Sequence, residues 1–122
     1  MTESELHKII CDYIILQYPG VIFNTDLSGI KLTIGQAKKL KTLRSSKKFP
    51  DIAIYEPRGK YCGLFMEIKK ETPYRKSGTL KRSEHLEGQE QMLINLTKRG
   101  YKAKFVWTFE MAKELIDTYL NG

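Results

Sequence analysis

The segment SELHKIICDYIILQYPG places apolar residues at Leu6, Ile9, Ile10, Tyr13, Ile14 and Leu16. That is the three-and-four spacing of a helix with one buried face, and Pro19-Gly20 ends it. VIFNT has the β-branched and aromatic content of a short strand, DLSG reads as a turn, and TIGQAKKLKTLRSS predicts a short basic helix or an ordered loop. The period then changes to two. In FPDIAIYE and YCGLFMEIK, joined through Pro57-Arg58-Gly59, alternation assigns Ile52, Ile54, Leu64, Met66 and Ile68 to one face of a hairpin. Asp51, Ala53, Tyr55, Phe65, Glu67 and Lys69 fall on the other. The polar basic stretch ETPYRKSGTLKR reads as a loop, and Ser83 is the N-cap of a helix over SEHLEGQEQMLINLTKRG that stops at Gly100. KAKFVW is a further strand, and Thr108 caps a last helix with Ala112, Leu115, Ile116 and Tyr119 as its buried stripe. The order α-β-(α)-β-β-α-β-α predicts one α/β domain over residues 1–122, with a mixed central sheet flanked by helices.

The hairpin register has a chemical consequence. Centred near Gly59, it brings Asp51 opposite Glu67 or nearly so, with Lys69 two residues on and pointing the same way. Two carboxylates about 4 Å apart repel by roughly 4 kcal/mol at an effective dielectric of 20, so the pair calls for a positive partner. One solution is a cross-strand ion pair between Lys69 and one acid, with the other acid exposed. The other is a hard divalent cation, since Mg²⁺ is commonly held by one or two carboxylates together with water and phosphate oxygens. Such an ion would polarise a phosphodiester and acidify a water, and Lys69 could orient that water or steady the developing charge. Gln89 is a second polar residue in an apolar setting, because Met92, Leu93 and Leu96 share its side of the helix, whereas Gln91 points elsewhere. Read by itself, Gln89 is more simply a buried amide satisfied by backbone.

Charge adds a partner class. The chain has 21 Lys and Arg against 14 Asp and Glu, a formal charge of +7, which favours a polyanion. Two windows hold the excess: Lys38, Lys39, Lys41, Arg44, Lys47 and Lys48 before Asp51, and Lys69, Lys70, Arg75, Lys76, Lys81 and Arg82 after Glu67. Both bracket the acidic pair, although runs of this kind also occur as plain solvated faces. Cys11 and Cys62 lack metal-ligand spacing and read as reduced, packed thiols. With only His7 and His85 beside them, a structural zinc site lacks ligands. The two histidines read as surface or cap residues without a catalytic role. No apolar run reaches the length of a membrane span and no secretory pattern opens the chain, so the cytoplasm is the expected compartment.

Pro50-Asp51 at the start of one strand and Glu67-Ile68-Lys69 at the end of the next have the spacing of the PD-(D/E)XK nuclease core. The sequence resembles that superfamily and, more closely, the VRR-NUC (virus-type replication-repair nuclease) family in its small stand-alone form. FPDIAIYEPRGKYCGLFMEIKKE is similar to the family's PD strand, hairpin and ExK strand, and EHLEGQEQMLINLTKRGYKAKFVW to the following helix and strand. The resemblance spans nearly the whole chain and implies a restriction-endonuclease-like core. It implies Mg²⁺- or Mn²⁺-dependent hydrolysis of DNA, selective for branched, flap or junction substrates in replication and repair, by a homodimer. For the site it implies Asp51 and Glu67 as metal ligands, the Ile68 carbonyl as a further ligand, Lys69 as the water- and charge-positioning group, and Gln89 in support. It also implies a glutamate from the first helix; the choice lies between Glu3 and Glu5, and helical phase favours Glu3. Lys47, Lys48, Lys70, Arg75, Lys76, Lys81 and Arg82 are the expected DNA contacts. The chain departs from many relatives in NTDLSGIK and KKFPD, where a His-x-Pro-Asn-Gly-like segment and a Gly before the Pro are usual, and this bears on substrate preference. An inactive nucleic-acid-binding module and an RNA nuclease are the alternatives on the same fold.

Overall fold

The fold is described from a computed structural model, which covers residues 1–27 and 30–122; part of the expected DLSG turn, Ser28-Gly29, lies outside the described residues. The elements are α1 (Glu3–Gln17), β1 (Phe23–Thr25), α2 (Ile34–Lys41), β2 (Ile52–Ile54), β3 (Leu64–Ile68), α3 (Glu84–Lys98), β4 (Lys102–Val106) and α4 (Phe109–Asn121). The strands form one sheet in the order β1-β2-β3-β4. β1 pairs antiparallel with β2, β2 antiparallel with β3, and β3 parallel with β4, which makes the sheet mixed.

The period-two alternation sorts the sheet into two faces. Ile52, Ile54, Leu64, Met66, Ile68 and Val106, none more than 2% exposed, meet Leu6, Ile10 and Ile14 of α1 and Ala112, Ile116, Tyr119 and Leu120 of α4. Each fully buried aliphatic side chain contributes about 1.5–3 kcal/mol, so this face carries most of the stability. The opposite face is thinner: Leu93, Ala103 and Phe105 form its buried centre with Phe65, Tyr74, Leu80, Leu96 and Trp107 around them. A sheet covered by α1 and α4 on one side and α3 on the other has its functional groups free only at the strand ends.

Local chemistry sets the helix ends. Thr2, Thr33, Ser83 and Thr108 each accept a backbone N–H as N-caps, and Gly100, at φ +95°, follows the Arg99 C-cap in a conformation that suits glycine. The α1 stripe is narrower than its apolar content suggests, because Ile9 is 36% and Leu16 75% exposed, off the line of Leu6, Ile10 and Ile14. Leu115, expected in the α4 stripe, is only partly buried, and Leu120 completes the stripe. The expected packing of both thiols holds for half-buried Cys11 and fails for Cys62, which is exposed at the turn facing Gly100; both are free.

The basic stretch around α2 is helical but buries no residue. Its attachment is electrostatic: Arg44 Nη2 lies 2.9 Å from Asp26 Oδ2, its Nε donates to the Ser46 carbonyl, and its guanidinium sits 5.4 Å over the Phe49 ring. The loop ETPYRKSGTLKR is also more ordered than its polarity implies. Pro73 is fully buried, Tyr74 bridges Leu80, and the Tyr74 ring meets Phe105 and Trp107 edge-on at 6.1 and 6.0 Å. Among the described residues no helix is long and apolar enough to cross a membrane.

The hairpin centre is the feature that positions the site. The β2–β3 pairs Ile52↔Met66 and Ile54↔Leu64 give the expected register, while Arg58 bridges Tyr61 at the tip. The first limb therefore carries one more residue than the second between those pairs, a bulge absorbed near Pro57 and Gly63. A Cβ at Gly63 would lie 2.8 Å from the Ile54 carbonyl oxygen, a contact with backbone that no rotamer relieves. Gly63→Ala is expected to destabilise the fold by about 1–3 kcal/mol, read as a lower urea midpoint with an unchanged slope.

Candidate active site

β2 begins at Ile52 while β3 continues to Ile68, so the next residues outward from the Ile52↔Met66 pair are Asp51 and Glu67, side by side on the α3 face. Asp51 Oδ2 accepts the Ile68 N–H at 2.8 Å, and the Asp51 carbonyl accepts the Asp26 N–H at 2.9 Å. The carboxylate thus takes over a ladder position where β2 has run out of pairing. Glu67 is 5% exposed and lies beside Phe105 of β4 in register. Lys69 N donates to the Val106 carbonyl, and Lys69 Nζ donates to Gln89 Oε1 at 3.0 Å. Gln89, 8% exposed on α3, is thereby satisfied by a side-chain ammonium and not by backbone alone.

Glu3 enters from the first turn of α1, where its Oε2 accepts the Lys70 N–H at 3.1 Å. Glu5 serves instead in the capping box with Thr2, which distinguishes the two glutamates. Gln91 is exposed and donates to Asn95. A cavity of about 370 Å³ collects Glu3, Lys47, Lys48, Phe49, Asp51, Glu67, Lys69, His85 and Gln89. An adjoining one of about 200 Å³ shares Glu3 and Lys69 and adds Lys70 and Lys81. Lys81 stands 3.9 Å from Glu71. Arg75, Lys76 and Arg82 are exposed and line neither cavity, so four of the seven expected nucleic-acid contacts are gathered at the site and three are not.

The electrostatics centre on Glu67, whose pKa is pushed up to about 10. Burial is the largest cause, followed by the hydrogen bond to Asp51 and its charge; Lys69 opposes these and Glu3 adds to them. Without a further cation Glu67 is protonated at neutral pH and donates to Asp51, the arrangement expected of two like charges that cannot both ionise. The donor atoms are hard carboxylate oxygens, and Ile68 presents its carbonyl to the same strand edge as the N–H that Asp51 accepts. Among the described residues no group of three His, Cys, Asp or Glu side chains forms a ready ion cage. Two acids with room beside them fit Mg²⁺ or Mn²⁺, which keep several waters, better than a closed zinc site.

His85 is exposed, as the sequence reading has it, and it also lines the cavity. Its Nδ1 lies 2.9 Å from Lys48 Nζ, and burial together with Lys48 and Lys69 holds its pKa below the ordinary value. The available signal was its position four residues before Gln89, which puts both on one face of α3. His7 is partly buried, with Nε2 3.1 Å from Thr25 Oγ1, at a neighbouring cavity that Glu3 and Asp51 also line.

Among solved structures the chain is similar to one described as a VRR_NUC domain protein. The TM-score is 0.71 at 22% sequence identity, over 99% of this chain and 89% of that chain. No protein-family model matches the sequence, and no curated protein matches it. The chain has the α/β, restriction-endonuclease-like fold of that neighbour, as the PD and ExK strands led one to expect.

The raised pKa of Glu67 has a stability consequence of definite sign. Between its unfolded value near 4.5 and its folded value near 10, the native state binds one more proton than the unfolded state. The contribution is therefore complete below about pH 4.5 and is lost as pH rises toward 10, at up to about 1.4 kcal/mol per unit. Urea titrations in EDTA from pH 5 to 9 should show Glu67→Gln gaining on the wild type at each step. Parallel curves for the two proteins would contradict the protonated pair.

Proposed function

We propose that the chain is a Mg²⁺- or Mn²⁺-dependent endonuclease that hydrolyses DNA phosphodiester bonds. The observation that carries this reading is the buried Glu67 beside Asp51, an acidic pair that retains a proton unless a cation replaces it. The fold shared with a VRR_NUC domain protein supports the same reading.

Asp51, Glu67 and the Ile68 carbonyl would hold the ion. Bound there, it would supply neutralisation of the phosphodiester and acidification of the attacking water. The remaining work falls to side chains already oriented. Ile68 N–H fixes the Asp51 carboxylate, leaving its other oxygen for the ion. Gln89 Oε1 takes one of the three donors on Lys69 Nζ, and the other two are directed to the water and to a phosphate oxygen as charge develops. Glu3, tied to the Lys70 N–H, supplies negative charge at the cavity wall and an acceptor for the water network. Lys47, Lys48, Lys70 and Lys81 give the cavities a basic lining suited to phosphates, and the exposed Arg75, Lys76 and Arg82 would reach duplex arms farther out. Branched, flap or junction DNA is the proposed substrate and a homodimer the proposed assembly, in which two sites would address two strands.

Labelled single-stranded, duplex, flap and four-way DNA, with a ribose version of the flap, should be offered with Mg²⁺, Mn²⁺ or EDTA. Cleavage is expected with either metal and none with EDTA. Asp51→Ala and Glu67→Ala should lower the rate at least about 10³-fold while retaining DNA binding, and Gln89→Ala about 10- to 100-fold through the loosened Lys69. Full cleavage by Asp51→Ala would remove the assignment. Metal-independent binding without cleavage would leave a nucleic-acid-binding module, and preference for the ribose strand an RNA nuclease.

A further inference from the structure

The α3 helix presents two acceptors one turn apart, and each engages one lysine from a different part of the chain. Gln89 takes Lys69 from the end of β3 at 3.0 Å, and His85 takes Lys48 from the segment before β2 at 2.9 Å. The second couple has no place in the acidic pair's chemistry, yet its geometry is as specific as the first. Lys48 reaches His85 by lying across α3 at Gly88: a Cβ there would stand 3.1 Å from Lys48 Cε, 3.6 Å from Cδ and 3.8 Å from Cγ. A Cβ there would press on the lysine stem and ask it to give by a few tenths of an ångström.

The atoms fix the protonation pattern. A lysine ammonium only donates, so Nδ1 of His85 accepts and the ring carries its proton on Nε2. His85 therefore takes up one donor of Lys48 without neutralising it. Lys48 forms no ion pair with a carboxylate among the described residues, in contrast with Lys8, Lys81 and Lys113. An ammonium held on a neutral acceptor, in an exposed contact at the wall of a cavity that Asp51 and Glu67 also line, keeps two donors for an incoming anion.

We propose that Lys48 anchors a phosphate of the nucleic acid at this site, donating to a non-bridging oxygen, and that His85 is its positioning residue. The proposal rests on the nucleic-acid reading of the cavity and gives Lys48 a role distinct from general surface charge. A merely basic loop would leave the ammonium free to move and His85 without influence. A positioned anchor makes the histidine and the lysine act as one unit.

The test uses the full chain with fluorescein-labelled flap DNA. Binding is measured in EDTA across a salt series, and cleavage in Mg²⁺ under single-turnover conditions. Lys48→Gln and His85→Ala are each expected to weaken binding about tenfold, and Lys48→Gln to reduce the log-log salt slope by about 0.9. The double variant should be no weaker than Lys48→Gln alone, because both changes remove the same contact. His85→Asn, whose amide oxygen can stand where Nδ1 does, should bind within about threefold of the wild type. Thermal melts identify any variant that fails to fold, and the His85→Asn comparison holds in either case because it reads the acceptor and not the ring.

Additive losses in the double variant, or His85→Ala binding as the wild type does, would overturn the anchor even where the wild type cleaves DNA normally. Loss of binding in the expected pattern with no cleavage by the wild type would support the anchor and instead overturn the hydrolytic reading. The two failures are therefore distinguishable.

Discussion

A carboxyl group at position 67 is enclosed by the sheet, by Phe105 and by α3, and its neighbour in register is another carboxyl group. Neither water nor distance relieves the pair, so the surrounding groups are arranged around a charge that the fold alone does not balance. Ile68 N–H engages Asp51, Gln89 engages Lys69, and Lys70 N–H engages Glu3. Each contact orients a group, and none offsets the burial that raises the pKa of Glu67. The sheet end holds a proton there, and the proposed metal ion would take its place.

Much of this was legible because a hairpin is arithmetic. A centre at Gly59 and the alternation of strand side chains suffice to bring Asp51 to Glu67, and the observed pairs agree. Helical phase separated Glu3 from Glu5, and the apolar stripe around Gln89 marked it as turned inward. These inferences used covalent geometry and period, which a single sequence contains.

What was not legible depends on tertiary neighbours. His85 in the first turn of α3 is the surface residue its position suggests, but its contact with Lys48, which passes Gly88, could not be read from the sequence. Arg44 belongs by composition to the basic window, but Asp26 and the Ser46 carbonyl engage it. Tyr74 and Leu80 flank a polar turn and looked like loop residues, yet the thin α3 face of the sheet needs them to cover Phe105 and Trp107. Ile9 and Leu16 illustrate the reverse, apolar residues that helical spacing admits and no neighbour covers.

The central strand β3 has consequences beyond pairing. It is hydrogen-bonded on both edges and packed on both faces, so the segment carrying Glu67 and Lys69 opens only when the whole domain does. α2, which leads toward Lys47 and Lys48, buries no residue of its own. The cavity thus has one wall fixed by the sheet, which keeps the acids in register, and another reached from a segment that Arg44 secures through Asp26 and not through burial.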